Sequence, residues 1–286
     1  MLKKFLNARF HLRAAVNPVI RLLSCCMKDK NMLKPIKREV PVIISLTSYA
    51  ERFSELDISL YSLFNQSFKP DRIILWLSDE YTLSRLPYSI SRFIKNGLEI
   101  RFVKDIRSYT KIIYALKEFS EAIIVTADDD IYYPKNWLKK LYYSYLANPE
   151  DIQVHRAHRI EIGKHYESWE KHVKEESARF DNFLTGVGGV LYPPKCFSSE
   201  VFREDVFLKN APYADDIWLW IMALLNSRKI RVVKNHIRTL TCVNIFRQIF
   251  KNSKSLYEYN SAGGNDEQLE NLMKLYGRNV LPKLQK

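Results

Sequence analysis

The stretch Ala122–Ile123–Ile124–Val125–Thr126–Ala127–Asp128–Asp129–Asp130–Ile131–Tyr132–Tyr133–Pro134 decides how this chain reads. An apolar, β-branched run of strand length ends in three consecutive carboxylates, and an aromatic turn with a proline follows. Adjacent carboxylates repel, and each raises its neighbour's pKa unless a cation shares the site. A divalent metal is the simplest such cation, because hard cations take carboxylate oxygens and share their shell with phosphate. The acids stand where a strand ends and the chain turns, the edge at which open α/β sheets bind ligands. The plainer reading is a solvated turn capping the helix that opens near Asn136–Trp137, but caps and turns use single Asp residues far more often than triplets.

Upstream of this stretch the pattern repeats. Val40–Thr47 reads as strand one, and Ser54 to Gln66 as a helix with Ser54 as its N-cap. Arg72–Leu77 and Leu98–Val103 are strands two and three, Lys111 to Phe119 is a helix, and Ala122–Thr126 is strand four. Alternating strands and helices predict parallel β-α-β units, whose right-handed crossovers put every loop after a strand on one rim. That rim would gather Thr47–Arg52, Lys104–Lys111 and the acid triplet. Hydroxyls, an aromatic ring, cations and carboxylates together suit a nucleoside diphosphate with a bridging metal.

Downstream, Gln153 to Ile162 alternates as one strand, which would send His155 and His158 to opposite faces. Glu161 to Asn182 reads as a loop or lid. Thr185–Gly186–Val187–Gly188–Gly189 precedes a short strand, Val190–Tyr192. Asp215–Asp216 open an apolar helix, Ile217 to Leu225, where one acid is a candidate cap. Lys229 to Val233 is a further strand with His236 just past it, and Asn265 to Leu275 is an amphipathic helix.

The chain has 286 residues, 47% hydrophobic and 13% aromatic, enough to bury a large core. With only 8 Gly, it contains no Gly-rich phosphate loop of the Walker or dinucleotide type. Its net charge of +13 is uneven. Residues 1–40 hold ten Lys or Arg against two acids, Asp29 and Glu39, a surplus of +8. A basic arm beside a milder body implies an anionic partner: lipid, nucleic acid or acidic glycan. Leu2, Phe5, Leu12, Val16, Val19 and Leu23 form a rough helical stripe, broken at Pro18. It reads equally as a peripheral amphipathic helix, a disordered tail or a helix packed on the body. No stretch reaches the ~20 apolar residues of a membrane span, and Arg9, Arg13 and Arg21 interrupt any secretory signal. The four Cys show no metal-type spacing, and adjacent Cys25–Cys26 pair poorly, so a reducing compartment is expected.

Ser45–Leu46–Thr47–Ser48–Tyr49, Ser108–Tyr109–Thr110–Lys111, Ala127–Pro134, Gly186–Gly189 and Ala214–Asp215–Asp216 together resemble bacterial glycosyltransferases of the GT-A fold, family 2-like. The resemblance spans about Val40 to His236 and rests on order: a DxD-type acidic motif, a glycine turn, then an acidic pair at a helix start. It implies an α/β fold with a mainly parallel central sheet flanked by helices. Its division would be a basic arm (1–39), a glycosyltransferase domain (40–245, donor half 40–134 and acceptor half 135–245) and a helical tail (246–286).

The resemblance implies transfer of a sugar from a nucleotide-sugar, of the UDP-sugar class, to a hydroxyl of a glycan or lipid-linked acceptor in surface polysaccharide synthesis. Thr47, Tyr49 and Arg52 would face the nucleoside, and Lys111 phosphate or ribose. Asp128 and Asp129 would meet the donor, and Asp130 would ligate Mn²⁺ or Mg²⁺, with the register inside the triplet open. Gly188 and Gly189 would line the acceptor side, and His236 would add a metal ligand. Asp215 or Asp216 would be the general base of an inverting transfer, working in the cytoplasm or on the inner membrane face. A carboxylate at a helix N-terminus has its pKa depressed by the helix end, so such a base needs offsetting burial or works by position rather than strength. Two other classes share some features. A metal-dependent nucleotidyl- or phosphotransferase would use the triplet but leave the glycine turn and second acidic pair without roles. A nucleic-acid-binding protein would account for the charge, yet no recognition motif appears and nucleic acid is not the expected partner.

Overall fold

The computed structural model describes residues 19–24, 26, 31–33, 38–237, 240–244 and 263–284. Cys25 and most of the N-terminal apolar stripe, including Leu2, Phe5, Leu12 and Val16, lie outside them. A short helix over 19–24 (α1) comes first. Then follow β1 (Val42–Thr47), α2 (Phe53–Phe64), β2 (Arg72–Ser78), α3 (Tyr88–Ser91), β3 (Leu98–Val103), α4 (Thr110–Glu118) and β4 (Ile123–Thr126). This first half matches the predicted strands to within two residues. Ser54 is not the cap of α2: the cap position is Arg52 and carries no side-chain cap bond.

The acid triplet leads into β5 (Ile131–Tyr132) and α5 (Trp137–Ala147). The second half holds β6 (Ile152–Val154), β7 (Ala157–Arg159), β8 (Ala178–Arg179), β9 (Asn182–Leu184), β10 (Val190–Tyr192), α6 (Glu204–Asn210), α7 (Asp215–Leu225), β11 (Ile230–Val232), β12 (Thr241–Cys242) and α8 (Asn265–Leu284).

Eight strands form one sheet in the order β3-β2-β1-β4-β10-β6-β11-β8. The pairs β2–β3, β1–β2, β1–β4 and β6–β11 are parallel, whereas β10 opposes β4 and β6, and β8 opposes β11. Six strands therefore run one way and two run back. The order reverses at β1, with β2 and then β3 on one side and β4 on the other, so the crevice between the carboxyl ends of β1 and β4 is a topological switch point. Because β10 runs backwards, its start lies on that same rim, with Val190 opposite Thr126.

Strand pleating divides the core between the two faces. Val42, Ile44 and Leu46 pack with Leu56, Leu60 and Leu63 of α2. Ile43 points the other way, toward Ile112 and Ile113 of α4 and the Ile217–Leu224 stretch of α7. Each fully buried aliphatic side chain contributes about 1.5–3 kcal/mol. Helix α8 lays Leu269, Leu272 and Val280 on the second face and runs nine residues beyond the Leu275 boundary expected from sequence.

The single strand expected over Gln153–Ile162 is two. β6 stays in the main sheet, while β7 leaves it to pair with β9. The break falls at His155–Arg156, where the Arg156 carbonyl accepts the Thr185 N–H at 3.2 Å. His155 and His158 thus belong to different local frames, and both are buried. The lid segment contributes β8 to the sheet edge. Among the described residues no helix is long and apolar enough to cross a membrane.

Candidate active site

β4 extends its ladder one residue past its end through Ala127 N–H to Ser45 O (3.0 Å). The triplet that follows is held by its backbone. Asp128 N–H donates to the Tyr133 hydroxyl at 2.7 Å, and the Ser59 hydroxyl donates to Asp129 O at 2.7 Å. Val243 N–H donates to Asp130 O at 2.7 Å. The Tyr133 N–H in turn bonds Ser62 Oγ at 3.0 Å, so α2 supplies two hydroxyls that shape the turn. The triplet does not cap α5, whose cap residue is Asn136.

With the peptides fixed, the three side chains diverge to three partners. Asp128 takes the Lys111 ammonium at 2.8 Å, Asp129 the Ser48 hydroxyl at 2.6 Å and Asp130 the Arg52 guanidinium at 2.5 Å. Burial, then the charge of Asp130, push the Asp129 carboxyl up to about 6 against the pull of Arg52 and Ser48. Arg52 is opposed by its own burial, but Asp130 and Asp129 outweigh it and hold the guanidinium above its usual range.

Lys111 is the hinge between the acid turn and the second acidic pair. It stands in the first turn of α4, buried, with its carbonyl accepting from the buried Ser45 hydroxyl. Its ammonium reaches Asp128 and lies 3.6 Å from Asp215. Burial would lower it, but Asp128, Asp215 and Asp216 hold it well above the ordinary lysine range.

Asp215 and Asp216 occupy the first turn of α7, behind a cap position filled by Ala214 with no side-chain cap bond, so neither acid is the cap. Tyr109 sets the preceding turn, stacking on Phe207 at 4.1 Å and donating to Ala211 O at 2.6 Å. Asp216 accepts the Gly186 N–H at 2.9 Å. The helix end alone would depress this acid. Burial and the neighbouring Asp215 win instead, and the Asp216 carboxyl titrates near 7 despite Lys111 and the Gly186 bond. A carboxylate with a pKa near the working pH is what general-base catalysis needs.

The glycine turn exists for close approach. A Cβ on Gly186 would stand 2.9 Å from Asp216 Oδ1. One on Gly188 would meet Arg156 Cβ at 3.1 Å, and one on Gly189, at φ +77°, would enter the Trp137 ring at 2.3 Å. Trp137 Nε1 donates to Gly188 O at 2.8 Å, locking that turn to α5. Gly188 and Gly189 are thus placed against Arg156 and Trp137.

Thr47 spends its hydroxyl on Trp76 O at 2.9 Å. Tyr49 is 47% exposed at the mouth of the rim, its hydroxyl accepting from Arg52 Nε at 3.2 Å. His236 lies within electrostatic reach of His155, whose Nε2 meets Trp137 O at 3.0 Å. Among the described residues no three His, Cys, Asp or Glu gather as a ligand group, so His236 does not complete one with Asp130. Sequence reasoning gave no individual role to Ser48, Ser59, Ser62 and Tyr133, which hold the acid turn, or to Trp137, which holds the glycine turn; hydroxyl and aromatic residues without a charge leave no strong signal of their own. It quoted Gly186 without giving it a role.

Of the five carboxylates along this rim, Asp130 pairs with Arg52, Asp128 and Asp215 share Lys111, and Asp129 and Asp216 take Ser48 and Gly186 N–H. The excess negative charge and the raised Asp129 suit a divalent cation. The sparse carboxylate set suits one that completes its shell with water and phosphate oxygens, the habit of Mg²⁺.

No family model matches the chain, and no curated protein matches it in sequence. Among solved structures, the mannosyltransferase PcManGT from Pyrobaculum calidifontis, in complex with GDP-Man and Mn²⁺, superposes with a TM-score of 0.53 at 13% identity over 92% of this chain and 74% of that one. TarS from S. aureus gives 0.46 at 16% identity, over 69% and 59%. A cytidylyltransferase from Leptospira borgpetersenii gives 0.42 at 12%, over 85% and 97%. The last two likenesses are too loose to carry an argument. The first establishes the fold as GT-A-like.

Proposed function

We propose that this protein is a metal-dependent glycosyltransferase, moving a sugar from a nucleoside diphosphate sugar to a hydroxyl of a glycan or lipid-linked acceptor in surface polysaccharide synthesis. One observation carries the reading. The acid turn at the switch point and the Asp215–Asp216 pair share one rim: Lys111 reaches both Asp128 and Asp215, and Gly186 N–H holds Asp216 beside them. Nucleotidyl transfer would use the acid turn alone and leave the Gly186–Asp216 arrangement without a task.

In this reading Tyr49 presents its ring to the base, and Arg52 stands at the phosphate end. Asp130, with Asp128 or Asp129, would hold Mn²⁺ or Mg²⁺. When bound, the metal supplies Lewis-acid neutralisation of the leaving diphosphate. The Pyrobaculum enzyme's complex with GDP-Man and Mn²⁺ makes that pair the natural first ligands to try. Asp216 accepts the proton of the acceptor hydroxyl as it attacks the anomeric carbon, and Gly186 N–H fixes its direction. Lys111 pairs with Asp128 and Asp215 beside it. Direct attack with one base gives inversion of the anomeric centre.

The test is release of nucleoside diphosphate from a panel of nucleotide-sugars, with Mn²⁺ and glycan acceptors, by wild type and Asp216→Asn. Transfer by wild type, lost in the variant while donor binding survives, supports the assignment. Undiminished transfer by Asp216→Asn removes the base from this residue.

A further inference from the structure

We propose, resting on the transferase reading above, that Arg107 and Tyr213 form a recognition site for an acidic sugar of the acceptor, one that carries a carboxylate or a phosphate.

The two residues come from different loops of the rim. Arg107 belongs to the connection between β3 and α4, and Tyr213 to the turn between α6 and α7, with Ala214 alone separating it from Asp215. That turn is braced at two points. The Tyr109 hydroxyl donates to Ala211 O at 2.6 Å, and Tyr213 N–H donates to the buried Gln268 side chain of α8 at 2.8 Å. The Tyr213 ring is left 37% exposed. The Arg107 guanidinium lies over that ring, 4.3 Å from its centroid, and donates from Nη1 to Pro212 O at 3.4 Å. Tyr109 lies within electrostatic reach of Arg107, Asp215 and Asp216 alike, which puts the pair beside the proposed base.

The pair differs from ordinary surface packing in its backbone and in its charge. Arg107 holds φ +63°, a left-handed conformation that is costly for a residue with a Cβ, and Asp105 Oδ1 accepts its N–H at 2.7 Å. Glycine would fit that backbone without strain, yet an arginine stands there. The other cations of this loop spend their charge on acids: Lys104 on Glu204, Lys111 on Asp128 and Asp215. Arg107 is exposed and pairs with no acid among the described residues. Stacking on Tyr213 fixes the guanidinium plane, and its edge N–H groups make a preformed fork for carboxylate or phosphate oxygens. The exposed part of the Tyr213 ring suits the apolar face of the same sugar. In the transferase reading the donor phosphates lie at Arg52 and the acid turn, so the acceptor is the molecule that Arg107 meets. An acidic acceptor approaching a rim rich in carboxylates is repelled, and a cation beside the base offsets that repulsion.

The experiment is a fluorescence titration of Tyr213→Trp, which keeps an aromatic ring under Arg107. All five native Trp are buried, so an exposed indole at this position reports on the site. The probes are glucuronate, glucose 6-phosphate and glucose, added without donor or metal. One acidic sugar should perturb the emission at about tenfold lower concentration than glucose, the scale of a hydrogen-bonded charge pair, and raised salt should weaken it. Which of the two responds separates carboxylate from phosphate. Adding Arg107→Gly should erase the preference. Arg107→Gly alone should melt within about 2 °C of wild type, because relief of the left-handed φ offsets the lost stacking. An equal response to glucose, no response to any sugar, or a preference that survives Arg107→Gly overturns the proposal. So does melting lowered by about 5 °C or more, which would make the pair a structural brace. Because no donor is present, the two readings fail separately. A missing preference with transfer intact strikes this site alone, and a preference kept where no transfer is found strikes the transferase reading.

Discussion

Gly186→Ala puts the smallest side chain into the contact that sets the proposed base. Gly186 is not among the positive-φ glycines, so its backbone accepts alanine. The new Cβ would stand 2.9 Å from Asp216 Oδ1 and 3.6 Å from Lys111 Nζ. The carboxylate must swing away, and the 2.9 Å bond from Gly186 N–H to Oδ2 goes with it. A hydrogen bond to a charged group contributes about 1.5–3 kcal/mol, which corresponds to about one to two pKa units. That bond favours the ionised form, so losing it moves Asp216 further up from about 7. At neutral pH the ionised fraction then falls about five- to fiftyfold, and displacing the base by about 1 Å costs up to about 100-fold more. The assay is a pH–rate profile for transfer between pH 5 and 9. The acidic limb should move to higher pH by at least one unit (about 1.4 kcal/mol), and the plateau should fall. A profile that overlays wild type, or a slower one with an unmoved limb, refutes the reasoning.

Three further outcomes follow from the same electrostatics. Asp216 binds its proton more tightly folded (about 7) than at the ordinary 3.8, so stability falls as pH rises through that window and the full cost is present above pH 7. Asp216→Asn should therefore melt at least about 2 °C higher than wild type at pH 8, a gain that vanishes near pH 4; a lower melting temperature at pH 8 contradicts the raised pKa. Lys111→Met leaves Asp128 and Asp215 without their shared cation, at a cost of about 3–5 kcal/mol, and calorimetry should show a melting temperature lower by about 10 °C. Burial depresses His155 from 6.5 to about 3, so the unfolded chain takes up a proton first and stability drops as pH falls through that range. Urea titrations should show His155→Gln flattening the acid loss by up to about 1.4 kcal/mol per pH unit; an identical slope assigns the acid sensitivity elsewhere.

The first half of the fold was legible because β1, β2 and β4 are buried on both faces and read as apolar runs, while half-buried β3 alternates. Val42–Thr47 and Ile123–Thr126 leave no competing period. The second half hid its topology in contacts between distant segments. Nothing local in Gln153–Ile162 announces that Arg156 must meet Thr185 and turn the chain out of the sheet. The acids of the rim were found because charge clustered at a strand end is conspicuous. Their electrostatics were not, since the expected helix-end depression of Asp216 is reversed by burial and by Asp215. The glycine turn was seen as permissive; that Gly186 admits a carboxylate and Gly189 an indole ring depends on contacts with α7 and α5, far away in sequence. Lys111 was expected to face donor phosphate or ribose, and its sequence gave no hint that it would be buried against acids from two elements.

The measurement that bears most directly on the account is a thermal-shift screen of UDP, GDP, CMP and ADP, each with and without Mn²⁺, on wild type and Asp130→Ala. A ligand that binds only the native state raises its melting temperature, by about 2.7 kcal/mol of stability at a hundredfold excess over Kd. The account predicts a rise for one nucleoside diphosphate, present with Mn²⁺, absent without it, and abolished in Asp130→Ala. No shift for any nucleotide with or without metal, or an equal shift in Asp130→Ala, would contradict it.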